Sequence, residues 1–270
     1  MYFLFIILLL TAGYSTLFWF FVDLSKYFMF LWVPVSFILG FITFALYLYF
    51  YMLIASHTRP NKRHKHFLLR NTVFWSLVIF HVKVTVIGKE NIPDETFIVY
   101  SNHKSNMDPI FIYYALHTDS VTAIGKSTLF KNHFMKLIGN TFGAIPLNRE
   151  NDREAAKAII KAIGDVKKGM SMIIFPEGGI KTRDVEEMVN LRAGAYKLAT
   201  KSGAKILPCA IIGSSQIKKK RRIKRKNVTV IFYKPIDKEE YQKMNTTEIG
   251  LMVEDIINNG IKGYGQDEQK

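Results

Sequence analysis

The first 56 residues carry only two charged side chains, Asp23 and Lys26, which cancel, and this constrains the chain more than any other feature. Residues 1–22 form one uncharged apolar run, and residues 27–56 form a longer one. About 20 apolar residues cross a bilayer as a helix, because every backbone N–H and C=O must find its partner within the segment. Both runs are long enough, and Asp23-Leu24-Ser25-Lys26 is a short link between them. The expectation for residues 1–57 is therefore a transmembrane helical hairpin. Pro34 and Gly40 lie inside the second run, which membrane helices tolerate. A signal peptide is the rival for the first run, and it is disfavoured because no Lys or Arg precedes the apolar stretch. Helices that dip into the bilayer without crossing it are the other alternative.

The formal net charge of +15 then belongs to the chain after residue 56. An apolar anchor joined to a basic domain points to polyanions held at a membrane: each Lys or Arg near an anionic surface contributes about 1 kcal/mol. Nucleic acid is the weaker candidate, since neither zinc-finger spacing nor an aromatic RNA-binding signature is present. Directly after the second run comes Arg59-Pro60-Asn61-Lys62-Arg63-His64-Lys65-His66, which the positive-inside rule places in the cytoplasm. A bacterial cell membrane is the first expectation and the endoplasmic reticulum the second. Residues 58–81 read as a docking segment in which 67–81 is an interfacial helix; an ordinary core helix is the alternative. His64 and His66 have no third ligand nearby, so no metal is expected. The single cysteine, Cys209, precludes an internal disulfide and fits a reducing compartment.

From residue 82 to 262 strand and helix patterns alternate. Period-two alternation marks 82–87 as a strand, and short apolar runs mark 96–100, 121–125, 143–147, 172–175, 206–212 and 228–233. Helical patterns fall at 110–117, 129–139, 191–202 and 246–261. Residues 152–168 are the clearest, with Ala155, Ile159, Ala162, Ile163 and Val166 on one face. The class is α/β. Residues 263–270 read as a disordered tail. Between the last two strands the chain runs Lys-Lys-Lys-Arg-Arg-Ile-Lys-Arg-Lys over 218–226, expected as an exposed loop that touches anionic lipid or is simply solvated.

Two residues suggest chemistry. His103 follows a strand end and Asp108 opens a helix with Pro109 at its first position, a place where ligands gather in α/β sheets. A carboxylate on one ring nitrogen fixes the tautomer and makes the other a better base. Such a pair can activate a hydroxyl that belongs to the substrate. The bland alternatives are a helix cap for Asp108 and a loop residue for His103. Ser101 and Ser105 lack a Gly-x-Ser-x-Gly elbow, which disfavours a hydrolase.

Four segments together carry a resemblance. Asn102-His103-Lys104-Ser105-Asn106-Met107-Asp108 resembles the Asn-His-x4-Asp signature of the glycerolipid acyltransferases. Gly143-Ala144-Ile145-Pro146-Leu147-Asn148-Arg149 resembles that family's second block, Phe175-Pro176-Glu177-Gly178 its third, and Leu207-Pro208-Cys209-Ala210-Ile211 its fourth. The four stand in family order across residues 80–235, and Lys126 fits the pattern between the first two. The member type most resembled is the acyltransferase that acts on 1-acylglycerol-3-phosphate.

The resemblance implies a mixed sheet flanked by helices. It also implies transfer of an acyl group from acyl-CoA or acyl carrier protein to the sn-2 hydroxyl of lysophosphatidate, in phospholipid biosynthesis, without metal or cofactor. His103 would be the base and Asp108 its orienter. Arg149 would bind the substrate phosphate, with Glu177 and Gly178 shaping that end of the site; Asn102, Pro176 and Pro208 support the motifs. The family commonly has Thr-Arg directly after Glu-Gly. Here Gly179-Ile180 intervenes before Lys181-Thr182-Arg183, so Lys181, Arg183 and Arg192 compete for the phosphate. Glycerol-3-phosphate or another lysophospholipid is the alternative acceptor, and a non-catalytic lipid-binding protein is the alternative of a different class.

Overall fold

The computed structural model describes residues 2–21, 29–58, 60, 63–116, 118, 120–189, 191–219 and 225–267. The 23–26 link, Arg59, Asn61 and Lys62 of the basic segment, residues 220–224 of the later basic run, and 268–270 lie outside them.

Helices α1 (Tyr2–Phe21) and α2 (Met29–Ala55) are both long and apolar enough to cross a membrane. They pack on each other through Phe3, Ile7 and Phe44. Gly40 sits where a Cβ would meet Ile7 O and Thr11 Oγ1, both at 3.2 Å, so its missing side chain is what lets the two helices approach. Most of the remaining surface of both helices is exposed and apolar, Phe5, Leu8, Phe20, Phe30 and Phe50 included.

Helix α3 (Arg63–Ile79) combines the two readings of this segment. His66, Val73 and Leu77 face the domain core, whereas Phe67, Phe74 and Val78 form an exposed apolar stripe on the adjoining face. The basic segment that runs into this helix is not uniformly solvated. Lys65 is fully buried and donates to Ala55 O at 2.6 Å, Thr58 O at 3.0 Å and Thr141 O at 3.0 Å. Its ammonium thus gathers the last carbonyl of α2, a carbonyl of the turn after it and the carbonyl of Thr141, favourably placed for a cation at a helix C-terminus. His66 stacks on Tyr113 and its Nδ1 pairs with the Tyr113 hydroxyl at 3.0 Å, a packing role rather than a ligand role.

The domain after α3 is built on a seven-stranded mixed sheet ordered β1-β7-β6-β2-β5-β3-β4. Its strands are β1 (Val82–Ile87), β2 (Phe97–Ser101), β3 (Val121–Lys126), β4 (Ile145–Leu147), β5 (Ser171–Ile174), β6 (Lys205–Ile212) and β7 (Lys226–Phe232). Strands β6, β2, β5, β3 and β4 are mutually parallel; β7 is antiparallel to β6, and β1 runs with β7. Pro208 accepts the Tyr233 N–H at 3.0 Å but has no N–H to return, and the β6–β7 register runs from Cys209 onward. Lys226 opens β7 and is buried, where an exposed loop was expected.

Both faces of the sheet are covered. Helices α3 and α4 (Asp108–Leu116) lie on one, with Phe97, Val99, Phe111 and Val230 in that core. Helices α6 (Asp152–Lys167), α7 (Lys197–Ser202) and α10 (Thr246–Asp267) lie on the other, with Ile98, Tyr100, Ala162 and Ile257. Helix α5 (His133–Phe142) starts later than the pattern suggested, because a 3-10 turn (Ser127–Lys131) occupies the first part and Asn132 caps the helix through Met135 N. Two short helices, α8 (Gln216–Lys219) and α9 (Lys238–Tyr241), carry too little periodicity to be anticipated. Helix α10 continues through 263–267, where a disordered tail was expected; Tyr264 in this last turn pairs its hydroxyl with Thr229 Oγ1 at 3.2 Å.

Candidate active site

The chain leaves β2 at Ser101 and β5 at Ile174, and these neighbouring parallel strands end at the same edge. His103 and Glu177 therefore meet although 74 residues separate them. The Nδ1 of His103 lies 3.0 Å from Asp108 Oδ2, and that same oxygen accepts the main-chain N–H groups of Lys104 at 2.7 Å and Ser105 at 2.8 Å. Asp108 is more than a helix cap: its carboxylate reaches back to fold the 103–108 turn around itself. With Nδ1–H donated to the carboxylate, Nε2 keeps its lone pair. The His103 side chain is 15% exposed and Asp108 0%, so the imidazole is reachable while its carboxylate partner is sealed from water. The ring of Phe175 stacks on the imidazole with centroids 4.2 Å apart, which fixes the plane of the base.

Glu177 does not face the phosphate end. Its carboxylate is fully buried, accepts the His103 N–H at 2.9 Å and pairs with Lys104 Nζ at 3.3 Å. Burial pushes the Glu177 carboxyl above its ordinary value, against the pull of the His103 N–H and the Lys104 charge. Its contacts hold the turn that carries His103. Asn102 anchors the other side: its amide donates to Glu186 O at 2.7 Å and Ile211 O at 2.8 Å, and accepts from Ile211 N at 2.8 Å. Glu186 in turn accepts from Gly213 N and Ser215 Oγ. Lys104 and Glu186 were not anticipated. Lys104 hides among the variable positions of the first block, and Glu186 has no sequence signal beyond a run of acidic residues.

Pro176 starts the turn after β5, in which Gly178 and Gly179 adopt φ of +74° and +139°. A Cβ on Gly178 would run into the Arg192 side chain, and one on Gly179 would lie 3.2 Å from an Arg149 nitrogen. Glycine is thus required twice, for backbone conformation and for the approach of two guanidinium groups. Burial, and secondarily the charge of Arg192, hold the Arg149 guanidinium below its ordinary value. Two like charges converging in a half-buried site are suited to an anion, and the planar forks match phosphate oxygens. Arg192 is exposed, yet its side chain lies over Gly178 and its charge acts on Arg149. Lys126 stands exposed at the end of β3, and Lys181 and Arg183 lie on the loop beyond Gly179; none of the three lines the groove that the arginines enter. That groove has a volume of about 560 Å³. Leu147, Ala155, Ile159 and Ile163 make it apolar, and Phe175, which stacks on His103, is also part of its lining. Cys209 is fully buried with its thiol pushed far up by desolvation, which leaves it no role as a nucleophile.

Residues 83–212 match the family model described as Acyltransferase. A 1-acyl-sn-glycerol-3-phosphate acyltransferase of Borreliella burgdorferi is 31% identical over 188 residues, covering 67% of this chain and 74% of that protein. A probable 1-acyl-sn-glycerol-3-phosphate acyltransferase of Mycoplasma pneumoniae is 30% identical, covering 71% and 76%. The crystal structure of the 1-acyl-sn-glycerophosphate acyltransferase from Thermotoga maritima superposes with a TM-score of 0.64, at 23% identity, over 81% of this chain and 89% of that one, which shows the shared fold.

Proposed function

The chain belongs to the glycerolipid acyltransferase family, and from that premise we propose that it transfers an acyl group from a thioester donor to the sn-2 hydroxyl of lysophosphatidate, releasing phosphatidate and a free thiol. The observation that carries the reading is the pairing of two sites at one sheet edge. A carboxylate-held histidine stacks on Phe175, and the same Phe175 lines the groove that the convergent arginine pair enters. An acceptor with a free hydroxyl and a phosphate a few bonds apart fits that separation of duties.

In the proposed reaction His103 Nε2 takes the proton of the acceptor hydroxyl as its oxygen attacks the thioester carbonyl. The tetrahedral intermediate collapses with loss of the C–S bond, and the imidazolium returns the proton to the departing thiolate. Asp108 holds the ring and stabilises its charge in between, as in the hydrolase triads, but the nucleophile belongs to the substrate and no acyl-enzyme forms. Arg149 and Arg192 bind the acceptor phosphate, so binding energy at the phosphate aligns the hydroxyl with the base. The donor is acyl-CoA or acyl carrier protein, both anionic and suited to a basic domain.

We further propose that α1 and α2 lie in the bilayer, with the catalytic domain on the cytoplasmic face of a cell membrane or endoplasmic reticulum, against anionic phospholipid. The exposed apolar faces of α1, α2 and α3 and the charge of the domain support this. The test is to incubate the purified full chain with labelled acyl-CoA or acyl carrier protein thioesters. Lysophosphatidate, glycerol-3-phosphate and lysophosphatidylcholine serve as acceptors. Labelled phosphatidate from lysophosphatidate alone is the expected product; label in another lysolipid would reassign the acceptor, and none in any would return the chain to a lipid-binding role.

A further inference from the structure

The sheet edge that carries His103 bears a second cleft three strands away. Because β7 is antiparallel to β6, the first residues of β7 and β1 lie at the same end of the sheet as the last residues of β6 and β2. A cavity of about 490 Å³ opens there between α3, the edge strand β1 and α4. Phe74, Leu77 and Val78 make one wall, Val82 and Val84 the floor, and Tyr114 the side toward α4. His81, Lys83 and Arg225 complete the lining, and no carboxylate is among the described lining residues.

Three further observations set this cleft apart from an ordinary surface groove. Its wall is shared: Phe74 and Val78 also line a second apolar cavity with Tyr2, Phe5 and Leu8 of α1, so the cleft opens along the exposed apolar stripe of α3 toward the anchor. Its rim is held in a costly backbone conformation. His81 has φ +53°, a left-handed value for a residue with a Cβ, and the buried Lys226 fastens that turn by donating its N–H to His81 O at 2.9 Å and its Nζ to Phe80 O at 3.2 Å. Its charge is one-sided, since Arg225 belongs to a stretch with eight Lys and Arg residues among the nine of 218–226.

We propose that this cleft holds one anionic phospholipid drawn from the surrounding bilayer, with its headgroup phosphate at the His81–Arg225 rim and an acyl chain along Phe74 and Val78. A soluble polyanion would leave the apolar wall in water, and a zwitterionic lipid would leave the cations without a net countercharge. The site is distinct from the arginine pair at Gly178–Gly179, which takes the reacting acceptor. The inference rests on the proposed membrane location of α1–α3 and not on the identity of the acceptor.

The experiment is native mass spectrometry of the full chain in neutral-detergent micelles doped with dioleoyl phosphatidylglycerol or dioleoyl phosphatidylcholine. One phosphatidylglycerol retained per chain, and no phosphatidylcholine, is the expected result. Lys83→Gln with Arg225→Gln should lower retention by about 10-fold or more, as the loss of two cations beside an anionic headgroup predicts. Phe74→Glu, at a wall position that is 42% exposed, should do the same, with circular dichroism confirming the fold. The charge-matched control, Lys157→Gln with Lys168→Gln, removes exposed lysines that do not line the cleft and should leave retention unchanged. Equal loss in control and test, equal retention of both lipids, or a chain dimer formed through β1 in place of bound lipid would overturn the proposal. The lipid count needs no turnover, so an inactive enzyme leaves it standing. A chain that stays soluble without detergent would instead defeat the membrane reading beneath it.

Discussion

Lys104 and Glu177, 73 residues apart in sequence, form an ion pair whose two side chains are both wholly buried behind the catalytic histidine. It ties the turn after β2 to the turn after β5, so the first and third sequence blocks make a single mechanical unit. Removing one partner of a buried pair leaves an uncompensated charge, which costs about 3–5 kcal/mol. Glu177→Ala is expected to lower unfolding stability by about that amount and to lose activity, as measured by denaturant titration and initial rates. Lys104→Met with Glu177→Leu should regain most of the stability. Activity should stay low, because the His103 N–H has still lost its acceptor. A double variant as active as the wild type would remove the pair from the catalytic geometry.

His103→Ala should abolish acyl transfer, a loss of about 10²–10⁴-fold or more, while the protein stays folded. Asp108→Asn is the sharper substitution. Its amide oxygen can still accept from Lys104 and Ser105, but the ring loses the carboxylate that selects its tautomer, and a fall of about 10⁴-fold in kcat is expected by analogy with hydrolase triads. Circular dichroism checks the fold and single-turnover rates the chemistry. Rates near wild type in either variant would defeat the general-base mechanism.

Arg149→Ala should act mainly on binding of the phosphorylated acceptor. Charge-assisted hydrogen bonds contribute about 1.5–3 kcal/mol each, so KM should rise by about 10- to 100-fold with a smaller change in kcat. Arg192→Ala should raise KM less, since its side chain is exposed. It should also relieve the repulsion that helps hold the Arg149 guanidinium below its ordinary value. The two effects should not add, because both arginines serve one anion.

Burial holds the Glu186 carboxyl above its ordinary value, with a smaller push from the charge of Asp108, against bonds from Ser215 and Gly213. A carboxyl raised in the folded state binds protons there more tightly than in the unfolded chain. Its contribution therefore favours folding at low pH and is lost as pH rises above the unfolded value near 4.5. Glu186→Gln should flatten the fall of unfolding free energy with pH just above that value, read by urea titrations at several pH values. An unchanged slope would mean that the carboxyl is effectively solvated.

Where the sequence pattern repeats, it was readable: the long apolar runs, the period-two strand at 82–87 and the amphipathic 152–168 all correspond to the elements α1, α2, β1 and α6. His103 and Asp108 were suggested by their place after a strand end and before a helix start, but Arg149 stood out only through the resemblance of 143–149 to the family's second block, since nothing in its local spacing marks it. Glu177 was legible as important but not in its role, since whether a carboxylate faces the ligand or the back of a turn depends on the neighbouring strand. Arg192 became a partner of Arg149 only through Gly178, a contact between segments that sequence spacing cannot measure. Lys65 was missed for a related reason. A lysine in a basic run reads as solvated unless one knows that three carbonyls wait for its ammonium.

That lysine has a consequence for how the protein meets its substrate. By joining the end of α2 to a carbonyl of α5, it makes anchor and domain one lever rather than two bodies on a swivel. With α1 and α2 seated in a bilayer, the altitude of His103 over the lipid plane becomes a constant of the fold. Acceptors would then be sorted by the depth at which they carry a hydroxyl, and encounter would be a two-dimensional search at fixed height.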